Sequence, residues 1–169
     1  MTDNPVLNIA DAKVFPAGPE GGSDRMGAMV SVLGGAVGLG GLGCMLTVVE
    51  PGKRAFSYHN HLANDEMFVI LEGTGTYRFG GQEYPVKAGD ICGAPRGGPE
   101  TAHQLINTGT GVLKYLGIST KIDPEVVEYP DSGKYAALAM WPGEDFRSAH
   151  LRAIHRADSQ LDYFDGEEI

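Results

Sequence analysis

Hydrophobic positions in this chain alternate far more often than they recur at helical spacing, and the alternating runs are short. EMFVILEG, from Glu66 to Gly73, places Glu66, Phe68 and Ile70 on one face and Met67, Val69 and Leu71 on the other, because successive strand side chains point to opposite sides. Both faces are apolar apart from the acid, so this strand is expected to be covered on both sides, by the N-terminal segment or by a second subunit. VLKYLGIST supplies a further strand with Val112, Lys114, Leu116 and Ile118 on one face. TYRF and QEYPV flank Gly80 and Gly81, a pair able to adopt the positive φ of a two-residue hairpin turn. NTGTG, from Asn107, marks another turn. Many short strands with no long amphipathic helix predict an all-β fold, a barrel or sandwich.

The ends are less regular. Residues 1–25 contain PAGPEGGSD and read as a turn-rich N-terminal arm on the outside of the barrel. After Lys121 the prolines of DPEVVEYPDSGK are expected to bar a central strand, and its DSG reads as a turn. KYAALAM suggests one more edge strand, and Ser159 in DSQLDYFDGEE is a candidate cap for a short helix.

The uncharged stretch from Gly27 to Val49 is long enough to span a bilayer, but its seven glycines weaken a helix. MVSV and MLTVV read instead as two strands joined by a glycine-rich turn. Gly38, Gly40 and Gly43 satisfy the dinucleotide-binding pattern G-x-G-x-x-G, yet CMLTVVEPG follows as a strand where that motif needs a helix N-terminus. No membrane span and no nucleotide site are expected here.

Composition narrows the class. At 169 residues the chain suits a single domain with one core. Its formal net charge of -9 opposes binding to nucleic acid or acidic membrane surfaces. Cys44 and Cys92 are too few for a disulfide framework and sit in apolar contexts, as free buried thiols do. MTDNPVLNIADAK lacks the basic flank and apolar core of a signal peptide, so a cytoplasmic address is the expectation.

The candidate chemistry lies in HNHLANDE and ETAHQLIN. His59, His61, Glu66 and His103 offer three imidazoles and a carboxylate, donors that suit one divalent transition metal: Fe, Mn, Ni, Co or Zn. His59 and His61 are two apart, so on a strand they face one interior together, while Glu66 and His103 each open a strand of their own. The competing reading is a polar network without a cation, which is costly to bury unless every group is hydrogen-bonded. His150 and His155 lie in the charged stretch HLRAIHR and read as surface residues.

These residues carry a resemblance to the cupin superfamily. Gly52, His59, His61, Glu66 and Gly73 resemble the first cupin motif, and Gly89, Pro95, Gly97, His103 and Asn107 the second. The chain departs from the pattern by one extra residue between Gly52 and His59, and by GGPETA before His103. The resemblance covers residues 50–119 and implies a double-stranded β-helix, a jelly-roll cupin barrel with N- and C-terminal arms. The expected organisation is one domain over 1–169: an arm to residue 25, a barrel over 26–120 with motifs at 52–73 and 89–107, and a C-terminal extension over 121–169.

Open positions on such a metal suit a small oxygen-rich metabolite. Relatives of this size imply an isomerase acting on a sugar or sugar phosphate. The ligand set equally permits an Fe(II) dioxygenase, and a non-catalytic module binding metal or a small ligand is a third reading. The general base is unassigned, with Glu72 and Glu100 as candidates and Arg96 as a candidate anion contact or a partner of Glu100. Lys53 and Arg54 read as solvated, while Tyr58 is placed outside the site by strand parity. A homodimer through the barrel sheets is the expected assembly, with a small molecule as the other partner.

Overall fold

The computed structural model describes residues 4–141 and 148–167. Among these, thirteen strands and four short 3₁₀ turns occur, and no α-helix. In chain order the strands are β1 (Phe15–Ala17), β2 (Ala28–Val32), β3 (Leu42–Val49), β4 (Asn60–His61), β5 (Glu66–Glu72), β6 (Thr74–Phe79) and β7 (Gln82–Lys87). They continue with β8 (Ile91–Ala94), β9 (His103–Ile106), β10 (Leu113–Thr120), β11 (Glu125–Tyr129), β12 (Lys134–Ala139) and β13 (Leu151–Arg156).

One layer is a six-stranded sheet in the order β1-β2-β3-β10-β5-β8. The other joins β7-β6-β9 to β13-β12-β11-β4, because His103 N–H donates to the His59 carbonyl (2.7 Å) and His59 N–H returns a bond to the His103 carbonyl (3.2 Å). Two candidate metal ligands thus form the backbone seam between those sheets. Inward residues of the two layers meet in one core, where Phe68 of β5 lies 6.1 Å from Tyr77 of β6, centroid to centroid. Ile70, Leu113 and Val49 are 1%, 0% and 0% exposed, so the face that Ile70 shares with Glu66 and Phe68 is the core face of EMFVILEG.

Glycines make the turns where backbone geometry demands them. Gly80 and Gly81 have φ +55° and +81°, closing the β6–β7 hairpin at the predicted pair. Gly73 has φ +84°, and a side chain there would run into the Val112 carbonyl. The 27–49 stretch forms β2, a 3₁₀ turn and β3, with Gly43 inside β3, so no helix follows the glycine pattern. No helix of the described residues is long and apolar enough to cross a membrane. Cys44 and Cys92 are free thiols.

The C-terminal part corrects several expectations. The barrel does not end at Thr120: β11 pairs with β4 on one side and β12 on the other, making it an interior strand. Pro124 and Pro130 bracket β11 and lie outside its ladder, so their missing N–H groups cost no pairing. β12 is also interior, because β13 takes the edge through a Lys134↔Arg156 register. Ser159 ends a 3₁₀ turn, Ala157–Ser159, and starts no helix. In the arm, β1 pairs with β2. That arm leaves the outer face of β5 uncovered: Met67 is 38% exposed and Ile91 of the neighbouring β8 is 67% exposed.

Candidate metal centre

Each donor is placed by the strand that carries it. Glu66 opens β5 and points inward with Phe68 and Ile70, while His103 opens β9 and is 2% exposed. His61 closes β4, and His59 stands two residues earlier on the same face. The GGPETA departure folds as a 3₁₀ turn, Pro99–Thr101, tied to β4 by Gly97 N–H donating to the His61 carbonyl (2.8 Å) and by Asn60 Nδ2 donating to the Gly97 carbonyl (2.8 Å). The extra residues therefore lead His103 back beside His59. Asn107 builds the neighbouring turn, with Nδ2 donating to the Val49 (2.7 Å) and Gly111 (2.9 Å) carbonyls.

The result is one cluster. A ligand atom from each of His59, His61, Glu66 and His103 lies within 4.8 Å of every other. Glu66 Oε2 is the common neighbour, 2.8 Å from His103 Nε2, 3.5 Å from His61 Nε2 and 3.8 Å from His59 Nε2. All three rings also turn Nδ1 outward to an oxygen: the Ser57 carbonyl at 2.7 Å for His59, the Thr101 carbonyl at 3.2 Å for His103, and Glu125 Oε2 at 3.4 Å for His61. At His59 the carbonyl at Nδ1 favours the tautomer whose Nε2 lone pair faces the cluster centre, which is what metal ligation requires. Both ring nitrogens of His61 are buried without a hydrogen-bond partner among the described residues, Nδ1 with Glu125 Oε2 as its nearest charged neighbour at 3.4 Å. These residues fit a metal ion better than a closed polar network, which would leave no such atom orphaned.

The electrostatics follow from crowding. Burial and the neighbouring His103 pull His59 down to about 4. Burial also pulls on His61, but Glu125 and Glu66 outweigh it and carry that ring up to about 9. Burial pushes the Glu66 carboxyl up, yet the His103 and His61 imidazoles hold it well below the usual carboxylate range. Glu125 is likewise lowered, because His61 and Asn64 outweigh burial. Phe68 and Tyr77 pack beneath His103 at 5.5 and 6.4 Å between centroids, making an apolar floor. The Tyr129 ring lies against His59 at 6.2 Å and 27°, and burial raises its hydroxyl. Side-chain exposures of 15%, 17% and 20% for His59, His61 and Glu66 leave one side accessible.

The other sequence candidates lie elsewhere. Glu72 stands at the opposite end of β5 from Glu66 and pairs with Lys114 at 3.2 Å on the surface, so it is no base for this site. Glu100 accepts from Gly98 N–H (3.0 Å) on the exposed turn, and Arg96 is exposed beside it, with no ion pair between the two in the structure. Tyr58 is buried beneath the Arg78 guanidinium, 3.6 Å from the ring centroid. Arg54 is not simply solvated, since its Nε is buried, and it lines a separate cavity of about 220 Å³ with Tyr58 and Lys134. His150 and His155 lie apart from the cluster, near Trp141 and Tyr135. Glu125 and Tyr129 are the residues that sequence reasoning missed. Their alternation with Val127 on one strand face was the available signal.

Residues 45–119 match the cupin domain family. That stretch, with all four donors inside it, is a cupin domain. Among solved cupin structures, a putative sugar phosphate isomerase from Acidithiobacillus ferrooxidans is 25% identical, with a TM-score of 0.72 over 94% of this chain and 96% of that one. A sugar phosphate isomerase from Silicibacter pomeroyi is 25% identical, with a TM-score of 0.74 over 95% and 98% of the two chains. An oxalate-binding protein from Thermotoga maritima is 33% identical over 70 residues, 41% of this chain. That match spans only 54% of the oxalate-binding protein's length.

Proposed function

We propose that this cupin is a metal-dependent enzyme that isomerises a sugar or sugar phosphate. The observation that carries the reading is the set of four converging donors, presented at the accessible end of a barrel whose full length is similar to two proteins described as sugar phosphate isomerases, one of them as putative. His59, His61, Glu66 and His103 hold one divalent transition metal. Such an ion, when bound, polarises a substrate carbonyl and its neighbouring hydroxyl. The protein's own contribution is positional. Phe68 and Tyr77 close the floor to water, and Tyr129 walls the mouth beside His59 with a phenol hydroxyl, a group able to donate a hydrogen bond to a substrate oxygen. Two copies associate through the outer face of the six-stranded sheet, where Met67, Val69 and Ile91 form an apolar strip. A monomer mass in light scattering would refute that assembly.

The deciding experiment loads the protein with Mn(II), Co(II), Ni(II), Zn(II) or Fe(II) and assays aldose–ketose interconversion over a panel of sugars and sugar phosphates. Turnover that disappears in Glu66→Ala supports the reading. Stoichiometric metal with no turnover on the panel overturns it. The likeness to an oxalate-binding protein favours a second reading, a module that binds a small dicarboxylate without turnover. Calorimetric binding of oxalate by the metal-loaded, inactive protein would select it.

A further inference from the structure

We propose that Glu125, which lies outside the stretch matching the cupin domain, is a positioning residue of the metal centre: it holds His61 with the proton on Nδ1 and the Nε2 lone pair turned to the ion. The inference rests on the metal reading above. His61 is flanked by two carboxylates, Glu66 Oε2 at 3.5 Å from Nε2 and Glu125 Oε2 at 3.4 Å from Nδ1. An imidazole that gives its Nε2 lone pair to a cation keeps its proton on Nδ1, and the acceptor facing Nδ1 decides how firmly. His59 and His103 have neutral backbone carbonyls in that place, whereas His61 alone of the three has a carboxylate. A charged acceptor orients the ring more strongly and makes it the more basic ligand. At 3.4 Å the contact is an ion-pair distance and not a formed hydrogen bond, and Nδ1 has no other partner among the described residues.

The carboxylate is fixed in position. Its side chain is 6% exposed and accepts from Ala63 N–H (3.2 Å) and from Asn64 Nδ2. Asn64 is itself clamped, with Oδ1 accepting from Ile122 N–H (2.7 Å) and Thr120 Oγ1 (2.9 Å). β11 is registered on β4 through the Val127↔His61 pair, and Leu62 N–H donates to the Val126 carbonyl (3.0 Å). The ladder fixes the Glu125 backbone, and its carboxylate cannot swing away without breaking the bonds to Ala63 and Asn64. Charge agrees with this role: Glu66 and Glu125 together balance the two positive charges of a divalent ion in a largely desolvated site.

The test is zinc affinity, measured by competition with a chromophoric chelator, for wild type, Glu125→Gln, His61→Ala and the double variant. Glu125→Gln is expected to weaken zinc binding about 10–100-fold. In the His61→Ala background the same change should alter the residual affinity by no more than about twofold, because the coupling has been removed. In zinc-loaded protein, the ¹⁵N imidazole resonances of His61 should move in Glu125→Gln while those of His59 and His103 stay. If the glutamine variant unfolds, Glu125→Asp, whose shorter carboxylate retracts from Nδ1, should show the same signature at smaller amplitude. Unchanged zinc affinity overturns the proposal, as does an equal loss in both backgrounds, which would make Glu125 a general support. Wild type that binds no zinc or other divalent metal overturns the metal reading itself, and this inference with it.

Discussion

The stretch that matches the cupin domain and the strands that follow it contribute unequally to the same centre. Residues 45–119 carry all four donors, and every donor sits at or near a strand end. β11 carries no donor, yet it supplies the carboxylate behind His61 and the ring against His59. Donor identity is therefore written locally, and so are the Nδ1 contacts of His59 and His103 to carbonyls two residues away, while His61 alone faces a partner some sixty residues away. A centre divided in this way can keep its ligands and still lose its geometry.

The largest expected effect comes from the donors themselves. A His59→Ala/His103→Ala double variant should lose bound metal altogether, where wild type purified without chelator carries close to one ion per chain by plasma mass spectrometry. Equal metal in both would sever the local half of the comparison. Next, Gly73→Ala places a side chain at φ +84° against the Val112 carbonyl, and should cost about 3 kcal/mol in urea unfolding. Stability within about 0.5 kcal/mol of wild type would show that the barrel tolerates a shift there.

Asn64→Ala probes the long-range half. It removes the clamp on Glu125 and leaves the Ile122 backbone groups unpaired, for an expected loss of about 1–3 kcal/mol together with weaker zinc binding. A stability loss with unchanged affinity would separate the β11 network from the metal centre. The smallest effect should come from the outer surface, where Arg78 pairs with Asp131 at 2.6 Å but the two side chains are 28% and 53% exposed. Arg78→Ala should cost about 1 kcal/mol or less, because solvent screens the pair. A much larger loss would mean that packing over Tyr58 supports the layer carrying His59.

Legibility followed the range of the interactions. The alternation in EMFVILEG grouped Glu66, Phe68 and Ile70 on one face, though it did not tell that the other would stand exposed, and Gly80–Gly81 predicted the hairpin, since both are set by the residue and its immediate neighbours. The region after Thr120 was misread for a physical reason. Two prolines bar a strand only where their N–H groups are needed, and Pro124 and Pro130 fall just outside β11. Glu72 and Glu66 are both acids of one strand, but six residues of extended chain separate a ligand from a surface ion pair. Arg96 and Glu100 share a loop, and nothing in their order says that each turns to the surface.

By itself the sequence determined the all-β class, the four residues that converge as candidate donors and the Gly80–Gly81 turn, because side-chain alternation, imidazole and carboxylate chemistry, and glycine's access to positive φ are properties of single residues and short spacings. Only the tertiary structure decided that β11 is an interior strand and that His61 stands between two carboxylates. Strand pairing is a contact between distant segments, and a buried carboxylate acquires its role from what is packed against it.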